Sequence, residues 1–225
     1  MSSWVVAVFL FLVSFELAAY DEYPKSIGEV HEAFVSPTGD IVSLETIGVE
    51  PPPAVTEVAA QPPDDDVRWV PGYWFWDSSI SDFVWITGLW RRPPPKMQWV
   101  EGKWEKNLGG WVWFRGFWSL TNEAGLTYIE QTPPVHSHEV VETPPDNNSF
   151  WMSGYWRYSA TDTPRYQWVD GAWAPIDPNW NYVPAHYILR DKGYVFVPPY
   201  LDWPVQMRGK LNTPIYITPE MRVEQ

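Results

Sequence analysis

The chain has 225 residues, no Cys, 17 Trp, 12 Tyr, 10 Phe and a net charge of −13. Lack of Cys excludes a disulfide framework, a thiolate zinc site and a cysteine nucleophile. The acidity argues against nucleic acid or an anionic membrane surface as partner, and the aromatic content argues against a wholly disordered chain.

Residues 1–19 read as a secretory signal peptide. Trp4 to Phe15 are apolar apart from Ser14, and Leu17-Ala18-Ala19 supplies small residues for cleavage after Ala19, with Ala18 the alternative. The protein is therefore expected to be exported to the periplasm, the outer cell surface or the medium, with no stable membrane span after cleavage. Residues 20–68 form an acidic, Pro-rich segment with eleven acids and two bases. Residues 69–118 are a Trp-dense array with four acids and six bases. Residues 119–150 are an acidic, Pro-rich linker with five acids and no base, and residues 151–201 are a second Trp-dense array with four of each. The Pro-rich stretches favour extended, semi-rigid chain. Residues 202–225, with Pro204, Pro214 and Pro219, are expected to be a loosely attached tail with one short strand at Ile215 to Ile217.

Self-similarity is the strongest signal. The pattern W-x-x-G-x-W occurs six times, at Trp69–Trp74, Trp85–Trp90, Trp99–Trp104, Trp113–Trp118, Trp151–Trp156 and Trp168–Trp173. Degenerate copies follow at Tyr182–Tyr187, with Ala185 for Gly, and from Phe196, with Pro199 for Gly. First-position spacings are 16, 14 and 14 in the first array and 17, 14 and 14 in the second. The arrays are themselves a duplication, since Glu57-Val58, Pro62-Pro63-Asp64 and Trp69 recur 82 residues later as Glu139-Val140, Pro144-Pro145-Asp146 and Trp151.

Runs of Trp, Tyr, Phe and Val punctuated by Gly, Pro, Asn and Asp predict short strands joined by hairpins. Pairing inward from Trp104 and Trp113 leaves Leu108-Gly109 as a two-residue turn, and pairing from Tyr187 and Phe196 leaves Asp191-Lys192. The 16-residue spacing leaves a four-residue turn at Ser78 to Ser81, whereas the odd 17-residue spacing calls for an odd-length loop or bulge between Trp156 and Trp168. The fold class is therefore all-β: two tandem four-stranded antiparallel meanders, which could pack as a sandwich.

Strand alternation then puts Trp69, Trp90, Trp99 and Trp118 on one face of the first array and Trp74, Trp85, Trp104 and Trp113 on the other. Trp76 and Trp111 extend the second row. The glycines Gly72, Gly88, Gly102, Gly116, Gly154 and Gly171 are structural, leaving room for a neighbouring indole over the backbone. Two aromatic faces are one more than a two-layer packing buries, so one must be covered by the N-terminal segment, another copy or a ligand. Trp74, Trp76, Trp85, Trp104, Trp111 and Trp113 are the candidate interaction face.

These residues resemble the bacterial YXWGXW-repeat family, also called WXXGXW-repeat proteins. The resemblance runs from about Pro62 to about Ile217 and includes Trp69-Val70-Pro71-Gly72-Tyr73-Trp74, the Phe83–Arg91 strand, Pro93-Pro94-Pro95 and Gly193–Val197. It implies an exported protein of uncharacterised biochemistry, without catalytic residues to carry over. Residues alone offer no active site. The His136-Ser137-His138-Glu139 stretch and Asp64-Asp65-Asp66 read as solvated polar loops, His31 and His186 have no partner visible in sequence, and no phosphate loop or nucleophile elbow is present. No enzymatic activity, cofactor or metal is expected. Two roles fit: a structural or interaction protein of the cell envelope, associating with itself or an envelope protein through its aromatic faces, or a glycan-binding module stacking sugars of a polysaccharide on exposed Trp.

Overall fold

A motif with Trp at its first and last positions and Gly at its fourth makes two short strands separated by a break, because Gly weakens the strand where it sits. The computed structural model, which describes residues 30–37, 44–59, 61–135 and 139–210, is built from that unit. The expected signal peptide at residues 1–19, His136, His138 and the expected strand at Ile215 to Ile217 lie outside the described residues.

After β1 (Thr46–Ile47), β2 (Arg68–Val70), β3 (Tyr73–Asp77), β4 (Asp82–Ile86) and β5 (Leu89–Arg91) form hairpin I. Hairpin II comprises β6 (Gln98–Val100), β7 (Lys103–Asn107), β8 (Gly110–Phe114) and β9 (Phe117–Ser119). Hairpin III is β10 (Ser149–Met152), β11 (Tyr155–Tyr158), β12 (Tyr166–Val169) and β13 (Ala172–Pro175). Hairpin IV is β14 (Asn181–Val183), β15 (His186–Arg190), β16 (Gly193–Val197) and β17 (Tyr200–Asp202), and β18 (Gly209–Lys210) follows. In each hairpin the inner strands pair with each other and so do the outer ones, all antiparallel.

The register is the one the spacings predict. Trp74 faces Trp85, Trp104 faces Trp113 and Trp156 faces Trp168 at the inner level. Trp69–Trp90, Trp99–Trp118 and Trp151–Trp173 pair at the outer level. Asn107 pairs with Gly110 and Arg190 with Gly193, leaving the two expected two-residue turns. The last pair before the odd loop is Tyr158–Tyr166. Gly110 and Gly193 take positive φ, +143° and +124°, and each meets a crossing carbonyl, that of Ile47 or Ile129, where a Cβ would stand 2.3 or 2.5 Å away. No other residue type fits there.

The expected four-stranded meanders do not form. Between hairpins I and II the chain runs through Pro93-Pro94-Pro95, which cannot donate ladder hydrogen bonds, and β5 pairs instead with β18. β13 likewise makes no ladder to β14, across a connection containing Pro178. Small two- and three-stranded sheets result, so two opposed four-stranded sheets are not the packing either.

Hairpin I abuts hairpin II through Tyr73 stacked on Trp113 and Phe83 edge-on to Trp104. Hairpin II meets hairpin IV in the main core, where Val100, Phe117 and Trp118 pack with Val195, Val197, Val70, Ala33 and Met97. Hairpin IV carries hairpin III through Tyr155 on Phe196 and Phe150 beside Tyr182. The spatial order is thus I, II, IV, III.

Residues 202–210 are not loosely attached. Asp202 receives both hydrogen bonds from the buried Arg91 guanidinium at 2.8 and 2.7 Å and lies 3.1 Å from Arg208. Arg208 in turn donates to the Phe34 carbonyl at 2.7 Å, and Arg91 Nε to that of Ala33 at 2.9 Å. This buried cluster ties residues 202–208 and 33–36 to hairpin I. A charge buried this deeply is tolerated only with its partners in place.

Candidate interaction site

Breaking a ladder leaves N–H and C=O groups without cross-strand partners, and buried ones must find others. In hairpin I the two glycine N–H groups of the break, Gly72 and Gly88, point at one carboxylate. Glu57 accepts from Gly72 at 2.9 Å, from Gly88 at 3.0 Å and from the Trp85 indole Nε1 at 3.0 Å. Hairpin III repeats this with Glu139, which accepts from Gly154 at 2.9 Å, Gly171 at 3.0 Å and Trp151 Nε1 at 3.1 Å. In hairpin II the acid is Glu32, accepting from Gly116 and Trp113 Nε1, each at 2.9 Å, and from Arg115 Nε at 3.3 Å. Hairpin IV has Ala185 and Pro199 at the glycine positions, and Pro199 has no N–H to offer.

The glycines leave space for both the indoles and the acid. A Cβ on Gly72 would lie 2.4 Å from the Ile86 carbonyl and 2.8 Å from Trp85. One on Gly88 would meet Trp69 at 2.6 Å, on Gly102 Trp113 at 2.3 Å, and on Gly116 Trp99 at 2.3 Å. On Gly154 it would meet Trp168 at 2.6 Å, and on Gly171 the Glu139 carboxylate at 2.2 Å.

A trans peptide points its C=O opposite to its N–H, so the carbonyls before these glycines face the other way. In hairpin I, His31 Nε2 donates to the Pro71 carbonyl at 2.9 Å. In hairpin II, the buried Arg190 donates to the carbonyls of Glu101 and Arg115 at 3.2 and 2.9 Å. In hairpin III the corresponding Ser153 and Asp170 are exposed. Each break is thus a polar centre with donors on one side and acceptors on the other.

Burial sets the electrostatics. Desolvation pushes the Glu32 carboxyl up from its ordinary range, against the pull of Arg115, Trp113 and Gly116. Desolvation lowers His31 to about 4, and its Nδ1 already accepts the Ala33 N–H at 3.1 Å. The Tyr73 phenol is pushed well up by burial and by Glu32.

The six Trp of the candidate face have different fates. Trp74 and Trp85 are buried, packed with Phe83, Val55, Trp76 and Trp104, and Trp74 Nε1 donates to the Pro53 carbonyl at 2.8 Å. Trp76 is half-buried and edge-on to Phe83. Trp104, also half-buried, donates to the Trp74 carbonyl at 2.9 Å. Trp113 stacks on Tyr73, and half-buried Trp111 pairs with Ile47 of β1. The N-terminal segment and the junction of hairpins I and II therefore cover Trp74 and Trp85, while Trp76, Trp104, Trp111 and Trp113 stay partly exposed.

In hairpin III no ring is buried, and Trp151, Trp156, Trp168, Trp173, Tyr158 and Tyr166 are all partly open. The segment crossing it is held by the Glu139 contacts and by Trp156 Nε1 to the Val135 carbonyl and Trp173 Nε1 to the Glu142 carbonyl, both 3.1 Å. Nearby, an open cleft of about 370 Å3 is lined by Phe150, Trp180, Tyr182, Asp177, Asn181 and Ser36.

Sequence reasoning missed Glu32, Glu57 and Glu139 as partners of the motif, although the recurrence of Glu57-Val58 as Glu139-Val140 was the signal that could have found two of them. Asp64 and Asp66 pair with Arg92 at 3.2 and 2.8 Å. Among the described residues no three His, Asp or Glu side chains converge, and no helix is long and apolar enough to cross a membrane. No curated protein and no solved structure matches the chain. Residues 65–91 match the family model described as the WXXGXW repeat in two copies, so hairpin I is a pair of WXXGXW repeats.

Proposed function

We propose that the chain is an exported, non-enzymatic repeat protein with a structural or protein-interaction role at the bacterial cell envelope, acting through aromatic sheet faces. The observation that supports this reading is hairpin III, none of whose rings is buried, whereas Trp74, Phe83 and Trp85 of hairpin I are. Contiguous exposed aromatic surface is a mark of interaction sites, and aromatic rings supply contact area at low entropic cost. The interaction surface accordingly includes hairpin III beside the partly exposed Trp76, Trp104, Trp111 and Trp113 of the first array. Its partner is another copy or an envelope protein. Light scattering after size-exclusion chromatography, over roughly a tenfold concentration range, tests it. A mass that grows with concentration and falls back on Trp168→Ala and Tyr158→Ala is expected. A constant monomer mass, with no envelope protein captured by cross-linking, contradicts it.

The cleft beside Trp180 favours a second reading, glycan binding. Phe150, Trp180 and Tyr182 offer ring surface there, with Asp177, Asn181 and Ser36 for hydroxyls. The Trp pairs of hairpin III, by contrast, lock edge-to-face at interplanar angles of 67° and 68° and present no flat platform to a sugar. Titration with envelope polysaccharides while following Trp fluorescence discriminates; no change on saturation removes the glycan reading.

A further inference from the structure

The two arrays match position by position. Trp69 corresponds to Trp151 at an offset of 82, and past the longer loop of hairpin III Trp85 corresponds to Trp168 at 83. The match holds in space. Trp104 Nε1 donates to the Trp74 carbonyl at 2.9 Å, and its counterpart Tyr187 donates through its hydroxyl to the Trp156 carbonyl at 2.8 Å. Tyr73 stacks on Trp113 as Tyr155 does on Phe196. Where the arrays part, the residues that differ can therefore be named.

In the first array residues 31–33 bridge the two hairpins, held largely by donors. Gly116 N–H, Trp113 Nε1 and Arg115 Nε reach Glu32, and Arg91 Nε and Trp118 Nε1 reach the Ala33 carbonyl at 2.9 and 3.2 Å. The corresponding positions of the second array are Pro199, Phe196, Pro198, Ala174 and Leu201, and none of them supplies the matching donor. The His31 ring lies 6.2 Å from Trp99, and Ala33 shares the main core with Met97. Their counterparts, Tyr182 and Trp180, line the open cleft of about 370 Å3 instead. The first array binds a piece of its own chain there, and the second presents a cleft stripped of the donors that a peptide carboxylate or carbonyl needs.

Rings and one acid remain. Trp180, Tyr182 and Phe150 give ring surface, and the exposed Asp177 stands among them. Asp177 Oδ1 accepts from Asn179 N and Nδ2 at 2.9 and 2.8 Å, while Oδ2 has no hydrogen-bond partner among the described residues. No base is among the described residues lining the cleft, and Arg208, which lines the adjoining one, lies 3.1 Å from Asp202. An anion entering a chain of net charge −13 would meet Asp177 with no cation to offset it. A sugar ring finds faces to stack on, and an ammonium finds both a carboxylate oxygen and aromatic faces that attract cations. The volume lies within the range of small-ligand sites, about 300–1,000 Å3.

We propose that this cleft binds an amino sugar of a glycan, its ring against Trp180 and Tyr182 and its protonated amine on Asp177. The inference rests on the glycan reading above and names the class of sugar.

Titration calorimetry and Trp fluorescence of the whole chain in mildly acidic buffer compare trimers of glucosamine, N-acetylglucosamine and galacturonic acid. The glucosamine trimer is expected to bind tightest, roughly two- to fivefold above its acetylated form, as one exposed ion pair allows. The galacturonate trimer should change neither signal. Asp177→Asn keeps an oxygen for the Asn179 cap and should erase the preference, and Trp180→Ala should abolish binding. Should circular dichroism show Trp180→Ala unfolded, Phe150→Ala replaces it. Equal affinity for the first two trimers, a preference that survives Asp177→Asn, or tighter binding of galacturonate overturns the amine assignment and leaves the glycan reading standing. Glucosamine binding undiminished in the ring variant overturns the cleft as its site. Silence from all three trimers overturns the proposal, and silence from the envelope polysaccharides as well removes the glycan reading with it.

Discussion

Hairpins I and III carry the same motif, the same Trp register and the same carboxylate on the same glycine pair, yet one is core and the other is surface. In hairpin I, Phe83, Ile86 and Leu89 are at most 2 % exposed, whereas no side chain of hairpin III is fully buried. The difference lies outside the motif. Phe83-Val84-Trp85-Ile86 is an uninterrupted apolar run, suited to burial on both faces, and it is covered by hairpin II and by residues 53–57. The matching strand of hairpin III reads Tyr166-Gln167-Trp168-Val169, with Gln167 bonded across to Arg157 at 2.8 Å in the open. The motif sets the hydrogen-bond pattern, and the neighbours decide how much free energy that pattern carries.

The sharpest way to break the comparison is at the glycines. Gly72→Ala drives a Cβ into the Ile86 carbonyl at 2.4 Å and into buried Trp85, and neither can retreat. We expect a loss of about 4 kcal/mol or outright unfolding. Gly154→Ala meets the Val169 carbonyl at 2.7 Å, a looser backbone clash than the one at Gly72, and Trp168 at 2.6 Å, which is half-exposed and can swing outward, so a smaller loss of about 3 kcal/mol is expected. Urea unfolding measures both; equal losses would show that burial is not what separates the hairpins.

Next in size are the acids. Glu57→Ala strands two glycine N–H groups and an indole N–H in a covered site, a loss of about 3 kcal/mol. Glu139→Ala removes a carboxylate whose indole donor, Trp151, is half-exposed where Trp85 is buried, and should cost less, about 2 kcal/mol. Glu57→Gln recovers little, because every group facing the carboxylate is a donor and the amide nitrogen accepts none of them. A Gln variant as stable as wild type would refute the carboxylate account.

Those acids also mark where the sequence could be read and where it could not. Turn positions and Trp pairs followed from spacing, since an antiparallel register is arithmetic once the turn is fixed. The all-β class followed as well. The meander did not survive because ladder formation between hairpins depends on N–H groups that Pro93, Pro94 and Pro95 lack, and on β18 arriving at the same edge from more than 100 residues away. Contacts of Glu32 with Gly116 and of Arg91 with Asp202 span 84 and 111 residues. No local periodicity encodes such pairings. The carboxylates looked like solvated charge because acids in a Pro-rich segment usually are.

Acid should separate the hairpins too. His31 caps hairpin I and falls to about 4 in the folded chain, from an ordinary 6.5. The unfolded chain then binds more protons between these values, so stability is lost as pH falls from about 6.5 to about 4, by up to about 3 kcal/mol. Buried His186, also lowered, acts in the same direction. Glu32 opposes them, since its raised carboxyl takes up a proton on folding and its contribution falls as pH rises. The urea midpoint followed against pH in wild type and His31→Asn checks this. The variant should show a flatter slope.

The smallest contrast isolates a single N–H. Trp74 Nε1 donates to the Pro53 carbonyl at 2.8 Å from a buried ring, and Trp156 Nε1 makes the matching bond to Val135 at 3.1 Å in the open. Phe in either place keeps an aromatic partner for the facing Trp and deletes the donor. At Trp74 the Pro53 carbonyl loses its indole partner and the smaller ring leaves a void, so about 2 kcal/mol is expected. At Trp156 water replaces the donor at once, and about 0.5 kcal/mol is expected. A double-mutant cycle with the corresponding acid sharpens the test. Trp74→Phe should couple to Glu57→Ala, because both release residues 53–57 from hairpin I, and once that segment is free the second substitution has little left to remove. Trp156→Phe and Glu139→Ala should couple the same way with a smaller energy. Additive losses in both hairpins would mean that the crossing segments are not held as units, and the arrangement hairpins I and III share would reduce to two unrelated contacts.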